Sequence, residues 1–516
     1  MLTPSPSSRD ARSRSRSPPV DASVLAAGAG AAPIVPAAPA RPSSCAHSPV
    51  DASARERLTK TWPQHLYDAI SARLQGLGRQ LRHLHVQSGF TGLGSHVAGF
   101  TRAPLHLGFH DVAGADRKAE ARDFLRDNNL MAEHFFEDVG SLSFGGPCLQ
   151  CHRWCPAILQ PDLYLGGFPC QPFSPMRRKK KNIGHHIIAE NHPEFEGARK
   201  QIEHLRTSLP SAAVLENSTG TADQDEFEGE VSSGAEYLYE QIEYLYFMAV
   251  VRLDLRVWVA ISRPRIWIFL VRRDVGSQDI VDQAVRIALE IEEHRRTVAP
   301  PDTIEVAQVD LHTRDSHGES STRNSLTRGS GADSVAGKQP AWKTQCDAQR
   351  AKWKALGWPF HADHPLSAAQ FIGMSGLPRE RDILEVKLLQ RCARFGLNPR
   401  IPDELDMARR NFVVDYSQNL RAIQRTVSRD KCPIDLPVLS GLCTSFRVYS
   451  FGHDQRVLAK DMLKSHGWHA EVSVAAARVE KHLENLVGEA QGLPCAATAQ
   501  WALVLAMGRH WPGLWE

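Results

Sequence analysis

Short apolar runs recur along this chain, and most of them stop at a glycine turn or an acid. Leu84-His85-Val86 leads into Phe90-Thr91-Gly92-Leu93-Gly94-Ser95, and Val112-Ala113-Gly114-Ala115 ends at Asp116. Phe135-Phe136-Glu137 ends at Asp138, while Leu163-Tyr164-Leu165 enters Gly166-Gly167-Phe168-Pro169-Cys170-Gln171-Pro172-Phe173-Ser174. Further on, Ala212-Ala213-Val214-Leu215 ends at Glu216-Asn217-Ser218, and Ile266 to Val271 follows Arg263-Pro264-Arg265. Uniformly apolar runs of this length read as strands buried on both faces, and helical patterns such as Ala119 to Asn129 lie between them. Alternation of that kind predicts an α/β fold with a doubly wound sheet.

At 516 residues the chain exceeds what one compact core usually holds, so two domains with unstructured segments are expected. A formal charge of +3 is too small to announce a nucleic-acid binder, so any basic surface must be local. No apolar run approaches the length of a membrane span, and no compact apolar segment near the N-terminus reads as a secretory signal. Residues 1–60 are rich in Pro, Ser and Ala and read as a disordered tail; the Arg12-Ser13-Arg14-Ser15-Arg16-Ser17 repeat within it reads as solvated or as a phosphorylatable nuclear or RNA-associated segment. A second stretch of similar composition, 313–339, reads as a disordered insertion.

Cys170 at the end of a strand, in a glycine-rich turn, is placed like a nucleophile. Taken alone it reads better as a buried structural thiol. The ordered set of motifs around it changes that. The Pro169-Cys170-Gln171 turn, Glu216-Asn217 and Arg263-Pro264-Arg265 together resemble the DNA (cytosine-5)-methyltransferases, over most of the chain from about Leu84 to Ala506. The resemblance implies a Rossmann-like class I methyltransferase sheet with a smaller, irregular target-recognition domain. It implies use of S-adenosylmethionine and methylation of carbon 5 of a cytosine flipped out of duplex DNA. The expected organisation is a catalytic domain over 61–275, a recognition region over 276–445 and a C-terminal segment, 446–516, returning to the catalytic domain.

In that resemblance Phe90, Gly92 and Gly94 match the first cofactor motif, with Ser95 where a further glycine is usual. Asp116 matches the second motif and suits the two ribose hydroxyls of an adenosine, and Asp138 matches the third and suits the adenine amino group. Taken singly, each acid reads equally well as a helix N-cap. Gly488-Glu489 falls in the final motif, with Glu489 replacing the usual Asn. Cys170 is the expected nucleophile toward carbon 6, and Glu216 the carboxyl that binds the N3 and amino edge. Arg263 is expected to brace the nucleophile loop and Arg265 to bind the cytosine O2, although Ile261 stands where a bracing glutamine is usual.

Two clusters fall outside those motifs. Arg177-Arg178-Lys179-Lys180-Lys181 follows the nucleophile turn and reads as a phosphate-contacting loop, with Ser174 at its start, as a solvated loop or as a nuclear import patch. With a DNA substrate, the expected location is the nucleus. Cys148, Cys151, His152 and Cys155 offer three thiols and an imidazole within eight residues; their spacing suits one edge of a zinc site or a reduced cysteine-rich loop. Two other readings remain open: a transfer-RNA cytosine-5 methyltransferase on the same fold, and a catalytically impaired DNA-binding relic.

Overall fold

The computed structural model describes residues 61–75, 84–102, 104–105, 109–173, 192–223, 225–227, 230–259, 261–298, 340–355, 378–399, 401–410, 412–417, 439–440, 446–468 and 480–508. The segments expected to be disordered, 1–60 and 313–339, lie outside the described residues.

The main sheet is built from β1 (Leu84–Gly89), β2 (Phe109–Ala115), β3 (His134–Phe136), β6 (Leu163–Gly166), β7 (Ala212–Ser218), β8 (Tyr246–Asp254) and β9 (Pro264–Arg272). A small hairpin, β4 (Gly146–Cys148) and β5 (Arg153–Cys155), lies between β3 and β6 in the chain. The helices that matter for the site are α1 (Trp62–Gln75), α2 (Ser95–Thr101), α3 (Ala119–Asp127), α4 (Phe195–Ser208), α5 (Gln278–Val298), α6 (Glu480–Glu489) and α7 (Leu493–Met507).

Strand order across the sheet is β8-β9-β7-β6-β1-β2-β3. Pairing is parallel from β3 through β2, β1 and β6 to β7, whereas β9 runs antiparallel to both β7 and β8. This is the expected Rossmann-like α/β architecture. The strands carry no polar stripe because both faces are covered. Ala212 and Val214 of β7 enter one core with Trp267, Phe269 and Val271 of β9. Their neighbours Ala213, Leu215, Ile266, Ile268 and Leu270 enter the opposite one. The first core is closed by α1, α3, α5 and α7, and the second by α4 and the helix Gly234–Ile242.

Helix α7 is buried along its whole length, so it has no polar face to show water. Pro494 in its first turn lacks an N–H where a helix would leave one unbonded. The indole N–H of Trp501 donates to the Gly99 carbonyl of α2 at 3.1 Å, tying the C-terminal part of the chain to the first cofactor motif. The amphipathic α5 likewise packs its apolar face, Ile280, Ala284, Ile287 and Ile291, on the sheet.

A separate, smaller core lies farther along. Ile383, Leu384 and Leu388 of the helix Pro378–Phe395 pack with Phe412, Tyr449 and Phe451 around a three-stranded antiparallel sheet of Val413–Asp415, Val448–Ser450 and Gln455–Arg456. No helix among the described residues is long and apolar enough to cross a membrane.

Candidate active site

The ends of β1, β6 and β7 open toward one side, where order reverses between β1 and β6; this is where an open α/β sheet leaves a crevice. Cys170 sits four residues beyond β6, just before a 3-10 turn at Gln171–Phe173. The turn closes with Phe173 N–H donating to the Cys170 carbonyl at 3.0 Å. Its underside is held by aromatic packing of Phe168, Phe173 and Phe195, and the Asn217 amide donates to the Phe168 carbonyl at 3.2 Å. Asn217 therefore fixes the cysteine loop from the end of β7. Its Oδ1 in turn accepts from Ser218 N–H and the Thr221 hydroxyl, both at 2.8 Å.

Glu216 lies opposite Trp267 in the β7–β9 pair, and Arg265 lies opposite Ser218. Residues two apart share a strand face, so Arg265 reaches diagonally back across the ladder. Its Nε meets Glu216 Oε1 at 2.9 Å, with both side chains largely buried. Arg263, also buried, donates from its guanidinium to the Gly488 carbonyl at 3.0 Å. Its backbone N–H donates to Asp254 Oδ1 at 2.8 Å. Ile261 is fully buried and pairs with Leu439, so the position where a bracing glutamine was expected is part of the core.

Burial pushes the Cys170 thiol above its ordinary pKa; Arg265 pulls it down, Glu216 pushes it up and Arg263 pulls it down. The cations expected to favour the thiolate are in place, but in the free protein burial outweighs them. The four residues Cys170, Glu216, Arg263 and Arg265 are thus brought together electrostatically, with Gly488 beside them. A side chain at Gly167 would collide with the Gln491 amide, its Cβ lying 2.9 Å from Nε2 and 3.3 Å from Glu216 Oε2.

The other side of the crevice is built from backbone. Phe90, Gly92 and Gly94 all take positive φ, and at Gly94 (φ 78°) a Cβ would also come within 2.8 Å of Leu125. The turn presents Gly92 N–H to Asp116 Oδ2 at 2.7 Å, while Lys118 N–H donates to Oδ1 at 2.8 Å. Burial pushes the Asp116 carboxyl above its ordinary value, against the pull of those two N–H groups. Each carboxylate oxygen has a further lone pair for a ligand hydroxyl. For Asp138, burial raises the pKa, but the Lys200 ammonium at 2.6 Å and the Gly140 N–H at 2.8 Å outweigh it and hold the carboxyl below the usual range. Asp138 is therefore already engaged in an ion pair.

Glu489 is ion-paired with Lys118, next to Asp116. The residue of the last motif that enters the crevice is Gln491, whose Oε1 accepts from Ser95 Oγ at 2.6 Å. Ser95 and Gln491 line a small pocket with Ser88, Gly89, Phe90, Thr91, Leu165, Gly166 and Gln500. Gln500 Oε1 is buried against Gly99 of α2 without a hydrogen-bond partner. Ser95, which departs from the first motif, thus meets Gln491, a residue that no local pattern marks. Their hydrogen bond joins residues 396 positions apart, so only a two-residue polar match across the two motifs could have signalled it.

A buried acid just past the end of β2 and a glycine turn whose backbone meets it suit an adenosine-bearing cofactor such as S-adenosylmethionine. Ser174 and the run Arg177 to Lys181 lie outside the described residues.

The metal cluster differs from the expected set. Cys148, Cys151 and Cys155 come together, but the imidazole among them is that of His134, the first residue of β3. His152 has φ 53° at the tip of the hairpin and is exposed to solvent. That left-handed residue reverses the chain after Cys151 and carries its own side chain outward.

Neither family models nor curated proteins give a match to this chain. Among solved structures it is similar to the Entamoeba histolytica methyltransferase EhMeth (10% identity, TM-score 0.37) and to the S. pombe Dnmt2 methyltransferase (11%, TM-score 0.37). Each comparison covers 82% of this chain and 98% of the other. It is also similar to an E. coli prophage protein described as a DNA modification methyltransferase (16% identity, TM-score 0.27), covering 38% of this chain. The chain spans half the length of that E. coli protein.

Proposed function

We propose that this protein transfers a methyl group from S-adenosylmethionine to carbon 5 of cytosine in DNA. The observation that carries the reading is the convergence of Cys170, the Glu216–Arg265 pair and Arg263 at the ends of β6, β7 and β9, with Asp116 hydrogen-bonded to the glycine turn after β1.

Carbon 5 of cytosine is a weak nucleophile, and a thiolate bonding to carbon 6 converts the ring to an enamine nucleophilic at carbon 5. Cys170 loses its proton to solvent and bonds to carbon 6; once carbon 5 has gained the methyl group, its proton passes to water, the thiolate is expelled and the ring re-aromatises. The Glu216 carboxyl faces the N3 and amino edge and stabilises the charge that develops there. Arg265, held by Glu216, faces the O2 edge and draws the Cys170 pKa down. Arg263 braces the cleft by gripping the Gly488 carbonyl. On the other side Asp116 accepts from the ribose, and Ser95 and Gln491 shape the pocket between. When bound, the cofactor supplies an electrophilic methyl group on a sulfonium. Burial of Cys170 keeps the thiol protonated in the free protein and limits its reaction with other electrophiles.

The test is a side-by-side transfer assay with radiolabelled S-adenosylmethionine on duplex DNA and on transfer RNA. Label at carbon 5 of DNA cytosine supports the proposal. Label confined to transfer RNA assigns the same chemistry to the other substrate, and no transfer to either points to an impaired relic.

A further inference from the structure

We propose that His134, Cys148, Cys151 and Cys155 hold one Zn2+ in a tetrahedral structural site that fastens the β4–β5 hairpin to strand β3. The inference does not depend on the methyltransferase reading.

In the antiparallel hairpin Cys155 lies opposite Gly146, so Cys148, two residues on, shares its face. Both thiols are buried, and Cys151 in the connecting turn swings its sulfur toward the same point. His134 approaches from a different element, which is how closed zinc sites usually recruit a remote ligand. Its Nδ1 lies 3.3 Å from Cys151 Sγ and 3.9 Å from Cys148 Sγ, and all four donor atoms fall within 4.8 Å of one another. A tetrahedral zinc with its usual bond lengths separates its donors by about 3.5–3.8 Å, so small shifts, a slight opening at the 3.3 Å pair and a contraction of the longer ones, are enough. The Cys151 N–H points at Cys148 Sγ at 3.4 Å, a contact that offsets the charge of a metal-bound thiolate.

The donor set favours zinc over harder cations, since thiolate and imidazole are poor ligands for Mg2+ or Ca2+. Local energetics point the same way. Two three-residue strands make a marginal hairpin in water, and this one leaves Trp154 67% exposed and nearby Phe144 61% exposed. It meets the sheet through Leu149 N–H donating to the Phe135 carbonyl at 2.8 Å, next to His134, and through Cys148 and Cys155 packing beside Ala113, Ala115 and Phe136. A metal bond from β3 to three hairpin residues adds a cross-link to that packing.

The test is metal analysis of the full chain purified under reducing conditions, with Co2+ as a spectroscopic probe. Expected are about one zinc per chain and, after exchange, thiolate-to-cobalt charge-transfer and tetrahedral d–d bands. His134→Ala and Cys151→Ser should each weaken zinc at least about 100-fold in chelator competition, whereas His152→Ala should leave it unchanged. Because a ligand variant could fail to fold, the cobalt titration of the folded wild-type protein stands as an independent reading. Absence of both bound zinc and tetrahedral cobalt bands there overturns the proposal. So does loss of metal in His152→Ala with retention in His134→Ala, or a thiol titration showing a disulfide between any two of the three cysteines.

Discussion

The two walls of the crevice are made in different ways. On the β1–β2 wall, two backbone N–H groups, Gly92 of the glycine turn and Lys118, meet a single buried acid, Asp116. On the β6–β7–β9 wall, charged side chains make the contacts: Glu216 with Arg265, Arg263 with the Gly488 carbonyl, and Asp254 with the Arg263 backbone N–H. A wall made of backbone tolerates loss of one side chain, because the turn remains. In a wall made of interlocked charges each substitution strands a neighbour. Damage on the first wall should therefore stay local to cofactor affinity, while damage on the second should spread into the reactivity of Cys170.

The largest expected effect is on the charged wall. Arg265→Ala should lower turnover by about 10³-fold or more, with cofactor affinity nearly unchanged. It should also raise the Cys170 pKa, because the strongest cationic pull is lost. Glu216→Gln should instead lower that pKa, since it removes the negative charge that pushes the thiol up. Iodoacetamide alkylation of Cys170 across pH reads both, and equal profiles in the two variants would break the contrast.

Next comes the backbone wall. Asp116→Ala should weaken S-adenosylmethionine binding by about 10–100-fold, the loss of a charge-assisted hydrogen bond, with turnover at saturation little changed. Calorimetry and saturation kinetics check it. Turnover falling more than affinity would mean that the walls are not separable.

The smallest effect lies behind the charged wall. Glu292 on α5 accepts from Asp254 N–H at 3.2 Å and pairs with Arg296 at 2.9 Å. Burial raises its pKa from 4.5 to about 7, against the pull of Arg296. An acid with a raised folded pKa contributes stability that is present below 4.5 and lost as pH rises through about 7. Glu292→Gln should remove that loss, on the order of 1–3 kcal/mol, so the variant unfolds at higher denaturant than wild type at pH 8 but not at pH 4.5. Parallel urea midpoints across this range would sink the assignment.

What the sequence made legible follows the same division. Strands β1, β2, β6, β7 and β9, and the residues at their ends, could be read because apolar runs and glycine turns are local signals. Contacts made across the chain could not. The Ser95–Gln491 bond joins two motifs by long-range packing, and Lys200 reaches Asp138 from a helix whose pattern shows only its apolar face. His134 stood 14 residues before Cys148 in a three-residue strand, too short to mark a ligand. His152 was the nearer imidazole, and a left-handed turn residue that sequence does not reveal turned it away. Ile261 offers no polar group to brace the cysteine loop, and Arg263 is held instead through its backbone N–H by Asp254 at the end of β8.

The central claim is that Cys170 bonds to carbon 6 of the target cytosine, and covalent trapping tests it most directly. The purified protein is incubated with S-adenosylmethionine and duplex DNA carrying 5-fluorocytosine, whose fluorine cannot leave as a proton does, so the thiol adduct persists. The account predicts a denaturation-resistant protein–DNA complex with wild type, mapped to the peptide containing Cys170, and none with Cys170→Ser in a folded protein. A complex of equal yield with Cys170→Ser, or an adduct mapped to another residue, would contradict it.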